Sequence, residues 1–188
     1  MGILSRIDDY NHISNPYELY DYMHENVVYG YVDINHVMHR KYLTGIETMY
    51  KTNDLVTTIT VGVGSCLEQA ALIGSVFERW NYDVHYYVLF SGPEDELIKD
   101  GIPRLHCIML AEKDDKVLFV ESSANLKRNG VHQFRSIDDG LSFIDNLYDG
   151  NEYYKRIEVD RFPVGLGIFE FIDYAKSFEK EDEKILKR

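Results

Sequence analysis

The chain has 188 residues, of which 45% are apolar, 13% aromatic and 28% charged. That is ordinary globular usage with room for one sizeable core, which argues against a disordered chain. Lys and Arg number 20 against 32 Asp and Glu, a net charge of −12 that repels phosphate backbones and argues against a nucleic-acid partner.

No apolar run approaches the roughly 18 residues that span a membrane, so no membrane partner is expected. The opening stretch Met1–Asp9 has no apolar h-region, so no signal peptide is expected. Arg6 at the sixth position breaks the myristoylation pattern. The two cysteines, Cys66 and Cys107, make no disulfide framework, and a cytoplasmic location is expected.

The first helix signal is Asn15 as N-cap, Pro16 at the first helical position and Glu18 two residues later, which predicts a helix over Tyr17–Asn26. Its tyrosines Tyr17, Tyr20 and Tyr22 read as core or as a substrate wall, with core favoured. Val27–Val32 reads as extended, residues 33–52 as helical in part, and Asn53 as the cap of a short helix through Thr58. Val61–Gly64 reads as a flexible approach to Ser65-Cys66-Leu67-Glu68. Ser65 and Glu68 form a capping box. The helix they start runs to about Trp80, burying Cys66, Ala70, Ile73, Phe77 and Trp80, and Asn81 ends it.

Three strands follow by composition: Val84–Phe90, Leu105–Ala111 and Val117–Val120. A polar loop separates the first two, and the turn Lys113–Lys116 joins the last two. Beyond Ser123, the pattern predicts a helix over Ile137–Leu147, an extended stretch over Tyr153–Val159, a helix over Gly167–Phe178 and a fraying tail from Glu179. The expected class is α+β in one domain. Its core lies at about 53–135, with an N-terminal helical part at 1–52 and a C-terminal α/β extension at 136–188.

Cys66 falls at the first position of its helix. A helix N-terminus carries unpaired N–H groups and about half a positive charge, which stabilise a thiolate and a developing oxyanion. Lone cysteines on apolar stripes are also ordinary core residues, and the strand hairpin tips the balance. With a two-residue turn at Asp114 and Asp115, Lys113 lies opposite Lys116. His106 and Glu121 then share a face as diagonal neighbours. A four-residue loop, Glu112–Asp115, sets them directly opposite, and an odd loop separates them. A thiol, a histidine and a carboxylate so placed form a nucleophile, a base and an orienter.

Gly64-Ser65-Cys66-Leu67-Glu68-Gln69-Ala70-Ala71-Leu72, a strand, Leu105-His106-Cys107-Ile108, and then Val117-Leu118-Phe119-Val120-Glu121-Ser122-Ser123 together resemble the transglutaminase-like superfamily. The flanks Tyr29-Gly30-Tyr31-Val32-Asp33 and Gly130-Val131-His132-Gln133-Phe134 resemble those of its bacterial members. The clear match covers about a third of the chain. The resemblance implies a papain-like fold, with the cysteine helix packed on an antiparallel sheet and Cys66, His106 and Glu121 as catalytic residues. It implies acyl transfer on peptide or protein amides without a metal or organic cofactor. Hydrolysis is favoured over crosslinking because it needs no second binding site. A non-enzymatic binding or scaffold protein on the same fold is the alternative. Two positions depart from pattern. Glu121 stands where Asp is usual, and Thr60 stands where a papain-like enzyme has the oxyanion Gln. Tyr29 and Tyr50 are the unsupported substitutes for that donor.

The remaining candidates read as structural. Cys107 alternates with His106 and is expected to face away into the core. His36 and His39, three apart, read as a metal pair on a helix only if a further ligand joins them. His85 reads as a packed ring. His132 reads equally as a residue at the mouth of the site.

Overall fold

The computed structural model describes residues 3–40, 43–91, 97–98, 102–103, 105–122, 127–147, 153–179 and 186–187. It opens on a helix that the sequence does not announce, α1 (Ile3–His12), which has no acidic residue in its first turn. Tertiary contacts hold it instead. Tyr10 and Ile13 lie in the main core, the Tyr10 hydroxyl donates to the Leu72 carbonyl at 3.0 Å, and Arg6 donates to the Thr60 carbonyl at 3.4 Å. Asn15 caps α2 (Pro16–Asn26), accepting from the N–H groups of Tyr17 and Glu18 at 3.1 and 3.0 Å. The helix buries Leu19, Tyr22 and Met23. Tyr17 is 70% exposed and leaves the expected tyrosine core.

β1 (Val28–Val32) is extended as its β-branched and aromatic residues predict. Residues 33–52 depart from the helical expectation. Asp33 accepts from the N–H groups of Asn35 and Val37 at 2.8 and 2.9 Å and turns the chain into β2 (Met38–Arg40), antiparallel to β1. Among the described residues, one helical turn follows, α3 (Ile46–Met49). The N-terminal part is therefore mixed rather than helical. The next helix, α4 (Leu55–Val61), is capped by Asp54, one residue past Asn53. It continues past Thr58 to Gly62, whose φ of 71° suits a left-handed cap. The expected flexible approach is a short strand, β3 (Val63–Gly64), parallel to β1 with Val28 beside Val63 and Tyr29 beside Gly64.

α5 (Cys66–Arg79) and β4 (Asp83–Ser91) lie where the sequence puts them. β5 (Leu97–Ile98) and β6 (Ile102–Pro103) pair within the polar loop, the rest of which lies outside the described residues. β7 (Leu105–Lys113), β8 (Lys116–Glu121), α6 (Ile137–Asn146), β10 (Tyr153–Val159) and α7 (Ile168–Lys176) follow the predicted order, and β9 (Gly130–Phe134) is a strand that the sequence did not announce. In the tail, β11 (Leu186–Lys187) pairs with β10; most of its neighbours lie outside the described residues.

The main sheet is antiparallel throughout, in the order β11-β10-β4-β7-β8-β9. The fold is mixed α+β. One face of the sheet presents Val88, Phe90, Cys107, Met109, Ala111, Leu118 and Val120 to a cluster that holds Leu72, Ile73 and Phe77 of α5. That cluster runs from Tyr10 to Ala175 and joins all three parts of the chain. The other face packs Leu89, Ile108, Leu110, Val117 and Phe119 against Leu141 and Ile144 of α6. Alternation along each strand assigns the faces. α5 crosses β4 closely at Gly74, where any Cβ would collide with the Tyr86 phenol. A strap from the C-terminal part closes over the chain before α4. The Thr52 N–H donates to the Leu166 carbonyl at 2.8 Å, the Leu166 N–H donates to the Thr52 hydroxyl at 3.0 Å, and the Gly165 N–H donates to the Thr52 carbonyl at 2.8 Å.

Candidate active site at the amino end of helix α5

Ser65 ends β3 in an extended conformation and caps α5, its hydroxyl accepting from the Leu67 N–H at 3.3 Å. Glu68 closes the box by accepting the Ser65 N–H at 2.9 Å and the Ser65 hydroxyl. Its other oxygen takes the Tyr50 hydroxyl at 2.5 Å and the Asn53 N–H at 3.1 Å. Glu68 is 1% exposed, so this is a buried carboxylate whose oxygens are all occupied. It fixes the first turn of α5, and with it Cys66, against the segment that precedes α4. Tyr50, a substitute oxyanion donor in the sequence reading, is committed to Glu68.

The β7–β8 turn has the two-residue form. Asp114 and Asp115 take positive φ of 51° and 58°, and Lys113 pairs with Lys116. The same-face relation follows: His106 Nε2 donates to Glu121 Oε2 at 2.8 Å. Glu121 is 6% exposed, and Arg128 Nε lies 4.0 Å from the same oxygen. With Nε2 committed to Glu121, the His106 charge acts on the Cys66 thiol and lowers it.

The electrostatics of the three side chains agree. The Cys66 thiol is held well below its usual range. The Cys107 S–H bond to it contributes most, then the His106 bond and charge and the Cys107 N–H bond, against an opposing push from burial. Burial pulls His106 down, but the Glu121 charge and the bonds to Cys66 and Glu121 outweigh it and raise the imidazole to about 9. Cys107 moves the other way: burial, then its bond to Cys66, push its thiol well up. The favoured state is a Cys66 thiolate facing a His106 imidazolium, with Cys107 protonated.

Cys107 lies in the core as expected, but on the face that α5 covers rather than away from Cys66. Neighbours on a strand do point to opposite faces, but the face that α5 covers is the one that carries Cys107 with Met109 and Ala111. Cys107 and His106, neighbours on β7, both act on the Cys66 thiol and lower it. The β4–β7 ladder is continuous from Asp83–Glu112 to Phe90–Leu105, whereas the β7–β8 register runs from Lys113–Lys116 to Ala111–Leu118.

Gln69 adds a support that the sequence reading passed over. One turn from Cys66, it donates to the Gly64 carbonyl at 3.0 Å and accepts the Ser122 hydroxyl at 3.1 Å, tying β3 to the end of β8 across the helix start. A Gln facing the same way as the nucleophile one helical turn on was the available signal. Tyr29 and Tyr31 join their hydroxyls at 3.2 Å, and burial first, with the Cys66 charge next for Tyr29, raises the Tyr29 phenol.

The other histidines take structural places. His132 Nε2 bonds the Arg128 carbonyl at 2.8 Å, and its ring stacks on Phe119 and Phe134 on the α6 face. His39 sits on β2 bonded to Asp33 at 2.9 Å, and His36 lies in the preceding turn at φ 61°, so the two share no helix. His85 Nδ1 bonds Glu158 at 2.8 Å. Among the described residues, no group of three or more His, Cys, Asp or Glu is placed to hold a metal ion.

Fold and site together define an α+β protein with a buried Cys–His–Glu constellation at a helix N-terminus. In comparisons with family models, curated proteins and solved structures, nothing matches this chain.

Proposed function

We propose that the protein is a cysteine-dependent acyl-transfer enzyme of transglutaminase-like type, on a papain-like arrangement, acting on a peptide or protein amide. The observation that carries the reading is the 2.8 Å bond from His106 to Glu121, made by an imidazole whose charge lowers the Cys66 thiol. The Cys66 thiolate attacks the amide carbonyl. The Cys66 N–H, at the first position of α5, faces the developing oxyanion. His106 gives its proton to the leaving amine, and the amine departs as the C–N bond breaks. His106, now neutral, takes a proton from water, whose oxygen attacks the thioester and frees the acid. Glu121 holds the ring and stabilises its charge throughout. Hydrolysis is the simpler outcome, because amine transfer needs a second substrate site.

One observation favours a binding protein on the same scaffold: Cys66 is only 8% exposed. The experiment that decides is covalent capture by a peptidyl vinyl sulfone, read by intact mass. Stoichiometric labelling of Cys66 in the native chain, lost on denaturation and in His106→Ala, supports the enzyme. No labelling of the native chain at any pH leaves the scaffold reading.

A further inference from the structure

We propose that Gln69 is a positioning residue for the Cys66 site: with Ser122 it forms a latch that holds the helix of the nucleophile against the strand end that carries Glu121. The inference rests on the reading of Cys66 as a nucleophile, and it adds the residues that keep nucleophile and orienter in register. Gln69 is 3% exposed and is bonded at both atoms of its amide. Its NH2 group donates to the Gly64 carbonyl at 3.0 Å, and its carbonyl oxygen accepts the Ser122 hydroxyl at 3.1 Å. Gly64 stands just before the Ser65–Cys66 pair, and Ser122 directly follows Glu121. One amide therefore joins the approach to the nucleophile with the strand of its orienter, across 53 residues of chain.

The strand ladders do not supply that joint. The β7–β8 register runs from Lys113–Lys116 to Ala111–Leu118, short of His106 and Glu121. Beyond it β8 is paired with β9, out to Glu121 beside Gly130. β9 is the outermost strand of the sheet, so this pairing ties Glu121 to the rim of the sheet and not to α5. On the other side, β3 lies tight against α5: a Cβ on Gly64 would stand 3.0 Å from the Glu68 side chain and 3.1 Å from that of Thr58. Core stability alone gives no reason for an amide at this place. A buried Gln costs desolvation that its bonds must offset, and exchanging buried polar partners for apolar groups of the same shape can be neutral or stabilising. The amide supplies direction, two bonds that set the start of α5 relative to the end of β8. Reacting groups depend on such placement, and a displacement of about 1 Å can slow a reaction about 100-fold.

The test compares the full wild-type chain with Ser122→Ala, Ser122→Thr and Gln69→Leu. Two quantities are measured at Cys66: the pH midpoint of iodoacetamide alkylation, by peptide mapping, and the rate of capture by a peptidyl vinyl sulfone. Urea midpoints are taken alongside. Ser122→Ala and Gln69→Leu should move the alkylation midpoint up toward that of a free thiol, because the thiol loses its alignment with His106. Capture should slow by up to about 100-fold. Ser122→Thr, which keeps the hydroxyl, should restore both. The urea midpoints of Ser122→Ala and Ser122→Thr should agree, a combination that a merely structural role would not give. If Gln69→Leu fails to fold, the two Ser122 variants decide. The inference is overturned if Ser122→Ala keeps the wild-type alkylation midpoint, or if Ser122→Thr shifts it as far as Ser122→Ala does. Capture of the wild type with an unmoved midpoint in Ser122→Ala defeats this inference alone. A midpoint that moves in Ser122→Ala, with no capture of the wild type, defeats only the acyl-transfer reading.

Discussion

His106 and Glu121 are 15 residues apart in sequence and 2.8 Å apart at Nε2 and Oε2, and a two-residue turn between their strands puts them there. Glu121→Gln keeps the shape and removes the charge. The proposed activity should fall by orders of magnitude, by analogy with loss of the acid from a Ser-His-Asp site. The midpoint for alkylation of Cys66 should also move up, because the imidazolium is weakened. Steady-state amide turnover and an alkylation profile against pH check both. Unchanged values for both would show that Glu121 does not orient the ring.

The two thiols should separate by chemistry. Iodoacetamide at about pH 6 should label Cys66 first, where an ordinary thiol is almost wholly protonated. Cys107, pushed up by burial and by Cys66, should label slowly. His106→Ala should raise the pH at which Cys66 reacts. Peptide mapping reads both sites, and joint labelling only near the pH of a free thiol would make Cys66 an ordinary cysteine.

Stability against pH should show the ion pair by its flatness. His106 titrates at about 9 when folded and at 6.5 ordinarily, so alone it adds stability that is whole below 6.5 and lost as pH rises to about 9. The Cys66 thiol is depressed from its ordinary 9.0, so alone it adds stability that is whole above that value and lost as pH falls toward its folded value. Between 6.5 and 9.0 the folded pair and the unfolded pair each carry one proton, so the two slopes cancel. Cys66→Ala should uncover the histidine slope, at most about 1.4 kcal/mol per pH unit, falling as pH rises from neutrality. Urea midpoints at several pH values measure it. Parallel profiles for the two chains would deny the ion pair.

Ser65→Ala removes the cap of α5 and one partner of a buried carboxylate together. The expected loss is about 1–3 kcal/mol, above an ordinary cap because Glu68 cannot reach water instead. Chemical denaturation gives the figure. A loss below about 0.5 kcal/mol, the low end for a cap, would show that Tyr50 and Asn53 hold Glu68 without help.

Gly74→Ala tests how closely α5 rides on the sheet. Helix propensity alone favours Ala by about 1 kcal/mol. The added carbon meets the Tyr86 ring, whose hydroxyl donates to Glu78 at 2.9 Å, so the net effect should be destabilising by about 1–3 kcal/mol. A thermal midpoint above that of the wild type would show that Tyr86 can move.

The local signals located α5, its cap, the β7–β8 turn, and β4, β7, β8, α6, β10 and α7, because each rests on neighbours in sequence; β5, β6 and β9 were not legible. α1 was not legible, since its support comes from Leu72 and Thr60, far along the chain. The hairpin of β1 and β2 was hidden by the Asp33 side chain, whose bonds to two backbone N–H groups replace a helical start. Cys107 is in the core as read, and only its side relative to Cys66 was not legible, for a different reason. Alternation fixes that neighbours oppose each other, but not which side a helix will cover, and that is decided by where α5 lands. Gln69 was in view but silent, because its partners Gly64 and Ser122 are joined only once β8 is in place.

The Thr52 strap has a consequence for how the protein is born. Thr52 and Leu166 are 114 residues apart, and the chain that Thr52 ends runs straight into the groups holding Glu68 and so Cys66. β10, also late in the sequence, must slot in beside β4 before the sheet is whole. Such distant pairings are slow to form. A chain still leaving the ribosome can therefore build α5 and its box while lacking the far tether. The tether behind that box is added only after translation has passed Leu166.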